Sequence, residues 1–274
     1  MRHDVSDLLT LMRVLRDPQQ GCPWDVQQDW HSIVPHTLEE AYEVADAIER
    51  GAFDELPGEL GDLLFQVVYY AQFGAEEERF DFDDVVDTLV RKMLRRHPHV
   101  FPDGTLASRR PPGIEAASVR EHQVKSRWES LKEDERADRS AAPPSVLDDV
   151  PLALPALSRA QKLAKRAARV GFDWPDTRGV IDKIREELAE VEEALARSDI
   201  EHAREEVGDL LFAVTNLARR LEADPEACLR RTNAKFERRF RHVEQALGRD
   251  GRRFGEAGLD EMERHWQAAK ADER

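Results

Sequence analysis

Four acids, Glu40, Glu43, Glu59 and Asp62, recur 147 residues later as Glu187, Glu190, Glu206 and Asp209. Their surroundings recur with them. Gly58-Glu59-Leu60-Gly61-Asp62-Leu63-Leu64-Phe65 answers to Glu205-Glu206-Val207-Gly208-Asp209-Leu210-Leu211-Phe212, and Lys92 to Arg96 answers to Lys235 to Arg239. A chain that carries one pattern twice is an internal duplication, and each copy must bury a core of its own. The 274 residues accordingly divide into a first domain over 1–102, a connector over 103–150 and a second domain over 151–274.

Each copy reads as helical. Good helix formers (Ala, Leu, Glu, Arg) dominate, and β-branched residues other than Val are sparse. Apolar spacing predicts helices over 4–16, 38–50, 57–78 and 83–96, then over 154–170, 181–197, 203–221 and 225–247. Thr37 with Glu40 three residues on looks like an N-cap, Pro57 suits a first helical turn, and Pro98 stops the fourth helix. The connector is marked by Pro111-Pro112 and Pro143-Pro144, with one charged helix expected over 119–139 around Trp128. The expected fold is all-α, two tandem four-helix-type bundles joined by a linker containing a helix.

The acids limit the chemistry. A spacing of three keeps Glu40 with Glu43, and Glu59 with Asp62, on one helix face. The segment 51–56 is long enough to bring the second helix back level with the first. A solvated charged face is the plain alternative, but the flanking Leu63, Leu64, Phe65, Val67 and Val68 leave that helix few solvent-facing positions and turn the acids inward. Four carboxylates converging inside a bundle repel one another and lose hydration, so they need a cation between them. Oxygen ligands without His or Cys select Mg²⁺, with Mn²⁺ as a substitute, over zinc.

The net charge of −15 argues against stable nucleic-acid binding, because an acidic surface repels phosphates, yet a nucleotide carrying a divalent cation can still bridge to carboxylates. No run of about 18 apolar residues predicts a membrane span, and the first residues do not read as a signal peptide. Cys22 and Cys228 form neither a disulfide framework nor a metal-type cluster, which suits a reducing cytoplasm. His31, His36, His97 and His99 read as structural or surface residues, and no Ser-His-Asp arrangement is evident. Trp24, Trp30 and Trp174 read as core plugs, whereas Trp266, on a late amphipathic helix with Glu263 and Lys270, could close over a base.

Cys22-Pro23-Trp24-Asp25, Leu38-Glu39-Glu40-Ala41-Tyr42-Glu43, the Gly58 to Phe65 run and Arg95-Arg96-His97-Pro98-His99-Val100-Phe101 resemble the MazG family. Gly171-Phe172-Asp173-Trp174, Glu186-Glu187, Glu190, Glu206, Asp209 and Asn233-Ala234-Lys235-Phe236-Glu237-Arg238-Arg239-Phe240 continue the resemblance, so it covers nearly the whole chain. The resemblance implies hydrolysis of standard or damaged nucleoside triphosphates to monophosphate and pyrophosphate, a homodimer of helical bundles, and a C-terminal repeat that carries the catalysis. It makes Glu187, Glu190, Glu206 and Asp209 the magnesium ligands and catalytic acids, with Glu40, Glu43, Glu59 and Asp62 as the matching set in the first repeat. Lys183, Asn233, Lys235 and Arg239 are then placed for the triphosphate, and Trp266 and Lys270 for the nucleotide. His202 departs from the pattern, standing where a lysine contact can stand. A narrower dUTP- or dCTP-type pyrophosphatase is the neighbouring alternative, and an acidic scaffold without catalysis would show broken acid quartets. Both quartets are intact.

Overall fold

The computed structural model describes residues 2–110, Trp128 and residues 145–273. The chain is all-helical among these residues and forms two units, Met1–Asp138 and Arg139–Arg274. The helix expected over 119–139 lies outside the described residues apart from Trp128, which is helical and sets its ring 6.2 Å from that of His97 in the first unit.

The first unit holds α1 (Val5–Leu15), the single turn α2 (Pro23–Val26), α3 (Val34–Arg50), α4 (Leu56–Glu76) and α5 (Phe82–Arg96). α4 is the central helix, packed on α1, α3 and α5. Asp4 and Asp81 close capping boxes that start α1 and α5 by accepting from the orphan amides of the first turn. Gly51 ends α3 at φ 71°, a left-handed residue that costs glycine nothing and turns the chain toward α4.

Thr37 is not the N-cap of α3. The helix starts one turn earlier with Pro35 in its first turn, and Thr37 Oγ1 instead bonds the Ile33 carbonyl at 3.1 Å and the Tyr70 hydroxyl at 2.8 Å. Pro35 loses nothing in a first turn, where its missing N–H has no partner to bond.

Met12, Ile33, Val68, Tyr69 and Phe73 form the buried centre, with Trp30 packed against it. Arg16 rivets the unit: its guanidinium holds Glu76 at 2.6 Å, takes the carbonyls of Asp25 and Gln28, and lies 4.4 Å over the Phe73 ring.

The second unit holds α6 (Ala156–Arg169), α7 (Thr177–Ala196), α8 (Ile200–Arg220), α9 (Pro225–Arg249) and α10 (Leu259–Asp272), with a 3-10 turn at Phe254–Glu256 before α10. α8 packs on α6 and most extensively on α7; α9 packs on α6, α8 and α10. Asp176, Asp199 and Asp224 cap α7, α8 and α9. Small residues (Ala164, Ala194, Ala203, Ala213, Ala246) supply much of the buried surface, which lets the backbones approach closely.

The expectation that the apolar run on α4 leaves little of it facing solvent is corrected. Leu60, Leu64 and Val67 are 49%, 38% and 37% exposed, and their duplicates Val207, Leu211 and Val214 on α8 are 44%, 53% and 46% exposed. Spacing of four and three puts each trio on one stripe, well around the helix from the acids.

Candidate active site

α7 presents Lys183, Glu187 and Glu190 on one face, and α8 presents His202, Glu206 and Asp209 at the same spacing. Packing of the two faces brings one carboxylate oxygen from each of Glu187, Glu190 and Glu206 within 4.8 Å of one another. Glu187 is only 5% exposed. The Lys183 ammonium lies 2.7 Å from Glu187 and 2.6 Å from Glu186. That contact outweighs burial and holds the Glu187 carboxyl below the usual carboxylate range. Burial, followed by Glu187 and Glu206, pushes the Glu190 carboxyl up.

The three acids are therefore short of positive charge, and Lys183 supplies only part of it. An all-oxygen donor set of this size fits a hard divalent cation, which would rest on Glu187, Glu190 and Glu206.

Asp209 is exposed one turn beyond Glu206 and is not among the three converging acids. His202, the departure from the lysine pattern, places Nδ1 3.4 Å from Glu206 and 3.7 Å from Glu205, so a basic side chain still borders the cluster.

The first unit repeats the arrangement with Glu40, Glu43 and Glu59. Burial, followed by Glu43 and Asp62, pushes the Glu40 carboxyl up, so Asp62 lies close enough to act on it although exposed. Two differences separate the copies. Glu43 is exposed where Glu190 is half-buried, and His36 stands at the Lys183 position, 3.7 Å from Glu39 and edge-on to Trp24. An imidazole is a weaker counter-charge than an ammonium, because it is cationic only when protonated.

The remaining expected residues gather on α9 and α10. Arg239 lies 5.8 Å from the Trp266 ring, which packs on Phe236 at 5.2 Å, and Lys270 follows one turn after Trp266. Lys235 precedes Arg239 by one turn on the same face, whereas Asn233 is exposed on another face of α9. Sequence spacing gave no warning of Glu273, which takes Arg238 Nε and Arg239 Nε at 2.9 Å each. Its signal lies in the fold, since only the return of α10 along α9 brings residues 34 and 35 apart together.

The motifs at the start of each helix pair prove to be ties. Asp25 accepts from the Tyr69 hydroxyl of α4, and Asp173 bonds Arg219 at 2.6 Å and Arg220 at 3.2 Å on α8. In both units an acid before the first helix thus anchors to the far half of the second. Of the tryptophans read as core plugs, Trp30 is one. Trp24 is 51% exposed and Trp174 is 37% exposed, leaning on Gly179, where a Cβ would come within 2.5 Å of its ring.

The MazG nucleotide pyrophosphohydrolase domain matches this chain twice, over residues 28–101 and 177–244. The nucleoside triphosphate pyrophosphohydrolase of Escherichia coli strain K12 is 48% identical over 99% of this chain and 98% of its own length. The nucleoside triphosphate pyrophosphohydrolase/pyrophosphatase MazG of Thermotoga maritima is 38% identical over 97% of this chain and 95% of its own. A nucleoside triphosphate pyrophosphohydrolase of Mycobacterium tuberculosis is 38% identical over 61% of this chain and 46% of its own length.

Proposed function

The chain belongs to the MazG nucleotide pyrophosphohydrolase family, and from that premise we propose a magnesium-dependent enzyme working chiefly at the Glu187, Glu190 and Glu206 cluster. It hydrolyses nucleoside triphosphates to monophosphate and pyrophosphate. The single observation that carries the site is the convergence of three carboxylates whose charge Lys183 only partly offsets. Mg²⁺ bound there would supply Lewis acidity and would lower the pKa of a coordinated water. The chain's own residues do the rest. Glu187, Glu190 and Glu206 would hold the cation, with Asp209, one turn on, as the fourth acid of the set. Lys235 and Arg239 take phosphate oxygens and offset the charge that grows on departing pyrophosphate. Trp266 covers the base and Lys270 binds the nucleotide beside it.

The test is pyrophosphate release from each of a panel of triphosphates, standard and damaged, with Mg²⁺, with Mn²⁺ and with chelator. Broad release that needs the cation is expected. Release from dUTP or dCTP alone points to a narrow enzyme, and no release from any points to a scaffold.

Cation binding should also stabilise the fold, because only the folded chain assembles the acids. At 100 times the dissociation constant the gain is about 2.7 kcal/mol. A melting temperature unmoved by millimolar Mg²⁺ in the presence of nucleotide would count against the metal site.

We further propose a homodimer in the cytoplasm. Equivalent apolar stripes on α4 and α8, repeated in both units, are more than a lone chain needs to leave in water. None of the described helices is long and apolar enough to cross a membrane, and Cys22 and Cys228 are both free, as a reducing compartment requires. Light scattering should give the mass of two chains, falling to one for Leu64→Asp combined with Leu211→Asp. A wild-type chain that runs as a monomer at micromolar concentration would refute the dimer.

A further inference from the structure

Arg239 does not wait with its guanidinium empty. Its Nε and Nη2 both donate to Glu273 Oε2, at 2.9 and 2.6 Å, while Arg238 donates to Oε1 from Nε at 2.9 Å. One carboxylate, at the C-cap of α10, thus holds two arginines of α9. The pair is sheltered, with the Arg239 side chain 17% exposed and that of Glu273 26% exposed. Hydrogen bonds from Arg239 and then Arg238 hold the Glu273 carboxyl below the usual range, so it is charged at neutral pH. A cavity of about 480 Å³ opens beside the pair, lined by Arg238, Arg241, His242 and Gln245 as well as by Asp272.

The Nε and Nη2 edge of a guanidinium takes one oxyanion at a time, so a phosphate that uses this edge of Arg239 competes with the Glu273 carboxylate for it. We propose that Glu273 is an internal competitor for Arg239: substrate must displace its carboxylate on binding, and the carboxylate reclaims Arg239 as pyrophosphate leaves. The inference rests on the reading of Arg239 as a phosphate contact. Its cost is weaker binding of every ligand that uses Arg239, since only the fraction of molecules with the pair open is competent. Its benefit is faster discharge of a highly charged product that would otherwise linger in a cationic cradle. Conformational release of this kind commonly limits turnover.

The alternative is that the contact simply staples α10 to α9 and so positions Trp266 and Lys270. The two readings predict opposite signs. Under competition, Glu273→Gln lowers KM for the triphosphate and the inhibition constant for inorganic pyrophosphate together, each by about five- to tenfold, without raising kcat. Under stapling, the same variant raises both. Glu273→Asp, whose shorter arm retains charge, should lie between wild type and Glu273→Gln. Calorimetric titration with inorganic pyrophosphate in the full chain reads the affinity even where turnover is slow. Wild-type protein that releases no pyrophosphate from any triphosphate would sink the functional reading itself. An active wild type whose Glu273→Gln variant binds pyrophosphate equally or more weakly overturns the competitor.

Discussion

Glu190→Ala should keep the helical fold and lose more than about 10²-fold of pyrophosphate release, since partners one shell outside a metal already cost 10–100-fold when removed. Its carboxylate is one of three that share a space of 4.8 Å, and burial and its two acidic neighbours hold it above the usual range. Removing it relieves repulsion before any cation binds, so the melting temperature in chelator should hold or rise. The stabilisation by Mg²⁺ should shrink in parallel with activity. That pairing separates loss of a ligand from loss of the fold, which would lower the chelator value as well. Asp209→Ala, which removes the fourth acid of the set, should lose activity too. Glu190→Ala retaining a tenth or more of wild-type turnover would end the metal assignment.

The helical class and the doubling were legible because both rest on local pattern. A period of 3.6 and a repeat at 147 residues survive any packing. Three of the four acids in each copy converge, as spacing of three on paired helices allows, while Asp62 and Asp209 stay exposed outside the clusters. What the sequence hid depends on long-range contact. The start of α3 at Val34 follows from an Asp29 turn and a Pro35 first turn that outrank the Thr37 signal. The apolar run on α4 looked like core because hydrophobicity alone does not distinguish the inside of one chain from a surface between two. Leu60, Leu64 and Val67 lie exposed on α4, and they are the stripe on which the proposed dimer rests. Resemblance alone singled out Lys183, as an expected phosphate contact; in the structure its ammonium rests on Glu186 and Glu187. Glu273 was illegible, because its partners lie more than thirty residues away on another helix.

The second large effect concerns which repeat does the work. Glu190→Ala combined with Glu206→Ala should remove pyrophosphate release by more than about 10²-fold, whereas Glu43→Ala combined with Glu59→Ala should leave it within about threefold. Both units gather three acids, so the carboxylates alone do not decide it. The surroundings do. The first unit has His36 where the second has Lys183, and its Glu43 faces solvent. Its α5 ends at Arg96 ahead of Pro98, after 15 residues, while α9 runs for 25 and carries Lys235 and Arg239 up to α10. Among the described residues the first unit offers no counterpart of the Trp266 helix. Trp128, set against His97, is the nearest candidate for such cover. A first unit that binds a cation without the cradle would add stability or regulation rather than turnover. The two double variants should therefore differ in rate while both lose part of the Mg²⁺ stabilisation. Activity abolished by the N-terminal pair and largely kept by the C-terminal pair would reverse the assignment, and equal partial losses would mean that both repeats turn over.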